Sequence, residues 1–298
     1  MRTINVLGYP SSAAAYCVGV EQAPAALREA GLISSIEAAG HRVRDAGDLP
    51  VRRWRPDHDR PLAQNLEEEV DALRELADAA HALMAPGEQL LVIGGSCTVA
   101  LGLCAAAARS GTDTHLVYID RHLDLNTPAS TIEGSLSWMG MAHALNLDGA
   151  APELAGLAGS RPLLRPAQLS YLGVDLGETT AWERARAAEL DVGLVTQAEM
   201  VADPARAAAA ARQALPAGPF LVHVDVDVLD FQDAPIAENV NGRNSGPTLA
   251  QLGLALAVLW REPQCLGLSL GQLVPAHAAS DPTSLGRLIE ALLPPAGV

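Results

Sequence analysis

His115-Leu116-Val117-Tyr118-Ile119-Asp120-Arg121-His122-Leu123-Asp124 and Phe220-Leu221-Val222-His223-Val224-Asp225-Val226-Asp227 share one plan: an apolar run of strand length that empties into acidic residues. Runs that are apolar throughout belong to strands covered on both faces, the situation inside a parallel sheet. Side chains alternate along a strand, so D-x-H-x-D and D-x-D each aim their polar groups to one side, where they can converge. Four aspartates and one histidine meeting at a point would repel unless protons or cations intervene, and Mn²⁺, Mg²⁺, Fe²⁺ or Zn²⁺ are the ions that oxygen and imidazole sets accept. The structural alternative is that such aspartates only cap helices or form turns. Two runs, both after strands and one holding a histidine, favour a metal site.

Outward from these runs the chain alternates strand and helix. Strands are predicted at residues 4–8, 41–44, 89–93, 115–119, 169–173, 192–195, 220–226 and 265–269, and helices at 24–29, 66–84, 99–108, 182–190, 204–215 and 249–260. Residues 66–84 carry Val70, Leu73, Leu76, Ala80 and Leu83 at helical spacing and stop at Pro86-Gly87. Strand then helix, with strands rich in Val, Ile and Leu, is the pattern of a parallel sheet with helices on both faces. The expected fold is a single α/β domain over residues 1–298, a three-layer α/β/α sandwich around a mostly parallel sheet of about eight strands. The segment with Pro56 and Pro61 reads as a loop, and residues 232–247 as a second loop, long enough to be a candidate binding loop.

At 298 residues and 49% hydrophobic, the chain can bury a sizeable core. A net charge of −15 and a pI near 4.8 argue against nucleic acid or an anionic membrane as partner. The densest basic cluster, Arg52, Arg53 and Arg55, is followed by Asp57, Asp59 and Glu67-Glu68-Glu69, and the whole reads as a solvated surface. No apolar stretch reaches the roughly 18 residues of a membrane span, and the N-terminus lacks a secretory pattern, so a soluble, cytoplasmic protein is expected. Four scattered cysteines make no disulfide framework.

In open α/β sheets ligands bind beyond the carboxyl ends of the strands. Asp120 to Asp124, Asp225 to Asp227 and Gly94-Gly95-Ser96-Cys97-Thr98 all fall there. Cys97 reads equally as a sixth ligand or as a buried packing thiol. His223 reads as a core histidine rather than a seventh ligand, and Trp138 either lines the pocket or packs.

These motifs, together with Val6-Leu7-Gly8-Tyr9-Pro10, Gly19-Val20-Glu21-Gln22-Ala23-Pro24, Gly47-Asp48-Leu49-Pro50 and Asp124-Leu125-Asn126-Thr127-Pro128, resemble the ureohydrolases, the family of arginase and agmatinase. The resemblance covers nearly the whole chain. It implies hydrolysis of a small guanidine-like substrate at one or two divalent metals, Mn²⁺ above all, in a homo-oligomer. It further implies that Asp120 and Asp225 bridge the metals, that His122 and Asp227 complete one site, and that Asp124 and Cys97 complete the other. Asp124 would also carry a proton to the departing nitrogen. Asn126, Asp175 and Gln272 fall at substrate-binding positions, Asn126 being also an ordinary turn residue before Thr127-Pro128.

Four departures from the family pattern bear on the substrate. Cys97 replaces a ligand histidine, and a thiolate suits Zn²⁺ or Fe²⁺ better than Mn²⁺. The loop Gly134-Ser135-Leu136-Ser137-Trp138-Met139 lacks a proton-shuttling histidine. Gln272 stands where a glutamate pairs with the substrate's guanidinium, and the loop around Asp175 and Glu178 is poorly matched. Plain arginine is therefore not the expected substrate. The first two departures are similar to the Nω-hydroxy-L-arginine hydrolases of D-cycloserine biosynthesis, which implies a less basic, hydroxyguanidine-like substrate in a specialised pathway. The competing expectation is a catalytically silent relative that serves as a binding or scaffolding subunit.

Overall fold

The structure, a computed structural model, describes residues 1–239 and 244–293. Residues 240–243 of the expected binding loop, and the last five residues of the chain, lie outside the described residues. Eight strands form one sheet among the described residues: β1 (Thr3–Gly8), β2 (Arg42–Asp48), β3 (Glu88–Ile93), β4 (His115–Ile119), β5 (Leu169–Val174), β6 (Gly193–Thr196), β7 (Phe220–Asp225) and β8 (Cys265–Gly271). Their order is β2-β1-β3-β8-β7-β4-β5-β6, and every pairing is parallel. The sheet is thus parallel throughout rather than mostly so.

Alternation along the strands divides the core into two layers. Leu91 and Ile93 of β3, Val117 and Ile119 of β4 and Val222 and Val224 of β7 pack on one face, against α1 (Ala23–Glu29), α2 (Leu32–Ala38), α9 (Pro204–Gln213), α10 (Leu249–Arg261) and α11 (Ser284–Leu292). Leu90 and Val92, Leu116 and Tyr118, and Leu221 face the other layer. That layer holds α3 (Leu66–Leu83), α4 (Val99–Arg109), α5 (Gly140–Ala144), α6 (Pro152–Ala155) and α7 (Ala181–Leu190). Burial on both faces is the physical reason the six inner strands read as continuous apolar runs, while the edge strand β2 is largely exposed. Pro24 sits in the first turn of α1, as its missing N–H allows, and α4 is buried from Val99 to Ala107.

What positions a site is the middle of this order. β3, β8, β7 and β4 are consecutive neighbours, although they are third, eighth, seventh and fourth in the chain. Ile119 pairs with Val224 and Val224 with Leu270, so the segments after these strands leave the sheet at one level. Gly94 to Thr98, Gln272, Asp225 to Asp227 and Asp120 to Asp124 therefore meet at the carboxyl edge. No described helix is long and apolar enough to cross a membrane.

Candidate metal centre

The acidic runs converge, but not by strand alternation. β4 ends at Ile119 and β7 at Asp225, so most of both motifs lies in turns. Asp120 Oδ1 accepts the backbone N–H of His122 at 2.7 Å, and Asp225 Oδ1 accepts that of Asp227 at 2.7 Å. Each aspartate thereby folds the next two residues back over the strand end and keeps Oδ2 for other partners. Asp124 lies in the left-handed region at φ 51, a conformation that costs a non-glycine residue energy and is kept where surrounding structure holds it. Arg121, fully buried, ties the two motifs together by donating to the carbonyls of Asp227 (2.6 Å), Leu229 (3.1 Å) and Ser245 (2.7 Å).

The Gly94-Gly95 turn brings in the third segment. Both glycines have positive φ, 99° and 82°. A Cβ on Gly94 would lie 2.6 Å from Pro24 and one on Gly95 2.4 Å from the Tyr9 ring, so only glycine fits at either place. Cys97 then donates from Sγ to Asp225 Oδ2 at 2.7 Å. Behind the turn, Thr98 Oγ1 donates to Glu69 at 2.5 Å, and Tyr9 and Ser11 donate to the same carboxylate at 3.0 and 3.3 Å. Glu69 is wholly buried, which corrects the reading of Glu67-Glu68-Glu69 as a solvated run. It lies on the stripe of Leu73, Leu76 and Ala80, four, seven and eleven residues on, that faces the core.

Ligand-type atoms of Cys97, Asp120 and Asp225 lie within 4.8 Å of one another, as do those of Asp120, His122 and Asp124. Asp120 is common to both groups, the position a bridging ligand needs. His122 Nδ1 lies 3.3 Å from Asp120 Oδ1 and 3.2 Å from Asp227 Oδ2, so the histidine belongs with Asp227 as well. Burial, then the charge of Asp227, pushes Asp120 up to about 6. Burial first and Asp120 next push Asp124 well up, and burial with Asp227 does the same to Asp225. Burial opposes a charge on His122, but the carboxylates of Asp227 and Asp120 outweigh it and hold that imidazole well above its usual range. Burial and the charges of Asp225, Asp124 and Asp120 raise the Cys97 thiol.

This donor set fits a divalent cation. Asp120 Oδ2 is buried with no hydrogen-bond partner among the described residues, and carboxylates this crowded are relieved by a cation at their centre. The thiol of Cys97 is placed as a ligand or as the hydrogen-bond donor it is here, and both readings stand.

His122, Asp124, Asp225 and Asp227 line a cavity of about 210 Å³, smaller than the roughly 300–1,000 Å³ of drug-sized sites and suited to a small molecule. Ser135, Ser137 and Trp138 line it, which puts the loop of residues 134–139 on the pocket. Gln272 lines it too, at φ 63. Asn126 and Asp175 are not among the lining residues. Asn126 is buried with its carbonyl oxygen taken by Ser130 and Thr180, and Asp175 Oδ1 accepts the N–H of Gly177. His223 Nδ1 pairs with Ser269 at 2.9 Å and the ring stacks on Tyr118, the placing of a core histidine. A larger cavity, about 410 Å³, opens around Arg2, Gln89 and Cys265; chemistry rather than volume selects the site.

A sequence model of the arginase family matches residues 2–286. The chain belongs to the arginase family. Human arginase-1 is 32% identical over 181 residues, 59% of this chain and 56% of its own length. Rat mitochondrial arginase-2 is 30% identical over 176 residues, 58% and 50%. The matched stretch thus spans about half the length of these relatives. Arginase from Bacillus subtilis strain 168 superposes with a TM-score of 0.84 at 25% identity, covering 98% of each chain. Trypanosoma cruzi formiminoglutamase, whose crystal structure is described with Mn²⁺, gives 0.72 at 16% identity, covering 98% of this chain and 91% of its own, which speaks to fold alone.

The lining residues that the sequence did not single out are Glu133, Glu183 and Glu238, with Tyr16 and Asn239; Glu178, from the poorly matched loop, lines the cavity beside them. Glu183 accepts the N–H of Leu125 at 3.2 Å and caps α7 through Thr180. Glu238 lies in the loop singled out as long enough to bind a ligand, and that length was the available signal.

Proposed function

We propose that the protein is a metal-dependent hydrolase of a guanidino or hydroxyguanidino carbon–nitrogen bond, acting on a substrate of the Nω-hydroxy-L-arginine kind in a specialised pathway. The observation that carries this reading is the gathering of Asp120, His122, Asp124, Asp225 and Asp227, with Cys97, beside one small pocket that His122, Asp124, Asp225 and Asp227 line. Asp120 and Asp225 are proposed as the bridging ligands, with His122 and Asp227 on one side and Asp124 and Cys97 on the other.

Divalent metal there, Mn²⁺ in our reading, would supply Lewis acidity and a water made nucleophilic at neutral pH. The remaining work falls to the chain. In the reaction, oxygen from water bonds to the guanidine carbon, the bond from that carbon to the side-chain nitrogen breaks, and the nitrogen leaves as an amine after gaining a proton. Asp124 is proposed to take that proton and pass it on. Its other oxygen is occupied by the Tyr118 hydroxyl, which fixes the rotamer. Ser135 and Ser137, 2.8 Å apart, present hydroxyls at the wall. Asn126, Asp175 and Gln272 are proposed to hold the substrate, Asn126 and Asp175 after movement of their loops.

Two features support the hydroxylated substrate. The loop of residues 134–139 brings Trp138 and two serines to the pocket and no histidine. A hydroxyguanidine is less basic than a guanidine, so its reaction depends less on proton shuttling. Cys97, a softer ligand than imidazole, fits the same branch.

The test is release of hydroxyurea or urea from Nω-hydroxy-L-arginine, L-arginine and agmatine by Mn²⁺-loaded protein, with and without chelator. The expected result is chelator-sensitive turnover with the highest kcat/KM on the hydroxylated substrate. No turnover of any guanidine contradicts the proposal.

A further inference from the structure

We propose that Glu238, together with the amide oxygen of Gln272, forms an anionic cradle that selects a cationic, planar N–H donor of the guanidinium or amidinium class. The inference rests on the proposed function and deepens it. The neutral side chain of Gln272 suggests a pocket with no counter-charge. The structure places a carboxylate directly beside it.

Three observations carry the proposal. First, both side chains are more than nine-tenths buried, at 4% and 8% exposure, and both line the cavity that holds Asp124, Asp225 and Asp227. Second, Glu238 Oε2 and Gln272 Oε1 are buried acceptors without a hydrogen-bond partner among the described residues. A buried acceptor left unpaired is costly, so two of them facing one cavity define a site for a ligand that donates. Third, the pair is held rigidly. Glu238 N–H donates to the Gln272 carbonyl at 2.7 Å, Val274 N–H donates to the Ile236 carbonyl at 2.9 Å, and Ala237 bridges Leu273. Cys17 donates to Glu238 Oε1 at 3.5 Å, which leaves Oε2 to the cavity.

The arrangement recognises charge as well as shape. A guanidinium offers N–H groups in one plane, and two acceptors side by side match two of them. A urea of the same outline keeps some donors but has no charge for Glu238 to neutralise. Burial, opposed by Cys17 and Gln272, sets the Glu238 carboxyl at about 7, so above that pH the cradle carries its charge.

The experiment compares L-arginine with its neutral isostere L-citrulline on the Mn²⁺-loaded full chain at pH 8, by calorimetric Kd, or KM where the ligand is turned over. The wild type is expected to prefer arginine by about ten-fold or more, the worth of one hydrogen bond to a charged group. Glu238→Gln should lose most of that preference. The double variant Glu238→Gln with Gln272→Glu should regain it, because the charge returns to the neighbouring position. Regain in the double variant also excludes misfolding as the cause of loss in the single one. An unchanged arginine preference in Glu238→Gln, or no preference in the wild type, overturns the cradle. Failure of the proposed function reads differently: no guanidine is turned over, while the charge preference and its loss in Glu238→Gln persist.

Discussion

At the scale of single residues, Cys97 is the position where one substitution tunes the metal. Its thiol is raised by burial and by three neighbouring carboxylates, so it becomes a ligand only when a cation displaces its proton. Cys97→His should raise Mn²⁺ stoichiometry, imidazole being the better partner for that ion. Elemental analysis of both proteins after dialysis checks this, and an unchanged ratio means that the cysteine only packs. Glu69 holds the same turn from behind. Glu69→Ala leaves three buried hydroxyls without their acceptor and should cost at least about 1–3 kcal/mol in urea denaturation, the usual penalty for an orphaned buried group. A loss under half a kcal/mol would show that the network contributes little.

At the scale of elements, all eight strands were legible, the six inner ones because burial on both faces leaves a strand apolar throughout, while the edge strands β2, largely exposed, and β6, half-buried, carry that signal weakly. Six of the helices were legible, α1 from Pro24 in its first turn and the other five from their spacing. Missing from the reading were α2, α5, α6, α11 and α8 (Gln197–Ala202). Four of these span seven residues or fewer, too short for periodicity to show. α11 is different: Leu285, Leu288, Ile289 and Leu292 have helical spacing, so this helix is legible in the sequence. The convergence of the aspartates was legible, but its cause was not, since turns built on Asp120 Oδ1 and Asp225 Oδ1 and the left-handed Asp124 replace strand alternation. Nothing local in the sequence marks Glu238 as the neighbour of Gln272; that contact joins segments more than thirty residues apart.

α5 also carries a pH dependence. His143 is fully buried, accepts the N–H of Ala151 at 3.2 Å, and is pushed down by burial to about 3. A depressed folded-state value means that stability is intact above the unfolded value near 6.5 and is lost as pH falls from there toward 3. The loss approaches about 1.4 kcal/mol per pH unit. His143→Gln should therefore show a shallower fall in stability than wild type between pH 6 and 4. Chemical denaturation across that range checks the difference, and parallel curves would contradict it.

At the scale of the whole molecule, the order of the sheet brings the chemistry together. Four consecutive strands, drawn from distant parts of the chain, deliver one loop each to the same edge. Their side chains crowd carboxylates that burial and mutual repulsion push up, and a cation is the natural relief. That claim is tested most directly by the metal content of the full chain after growth with Mn²⁺ and dialysis. The account predicts between one and two equivalents per chain, falling sharply in Asp120→Asn, because Asp120 belongs to both ligand groups. Less than about a tenth of an equivalent in the wild type would contradict it, since an intact hard-ligand set fills when the ion is supplied.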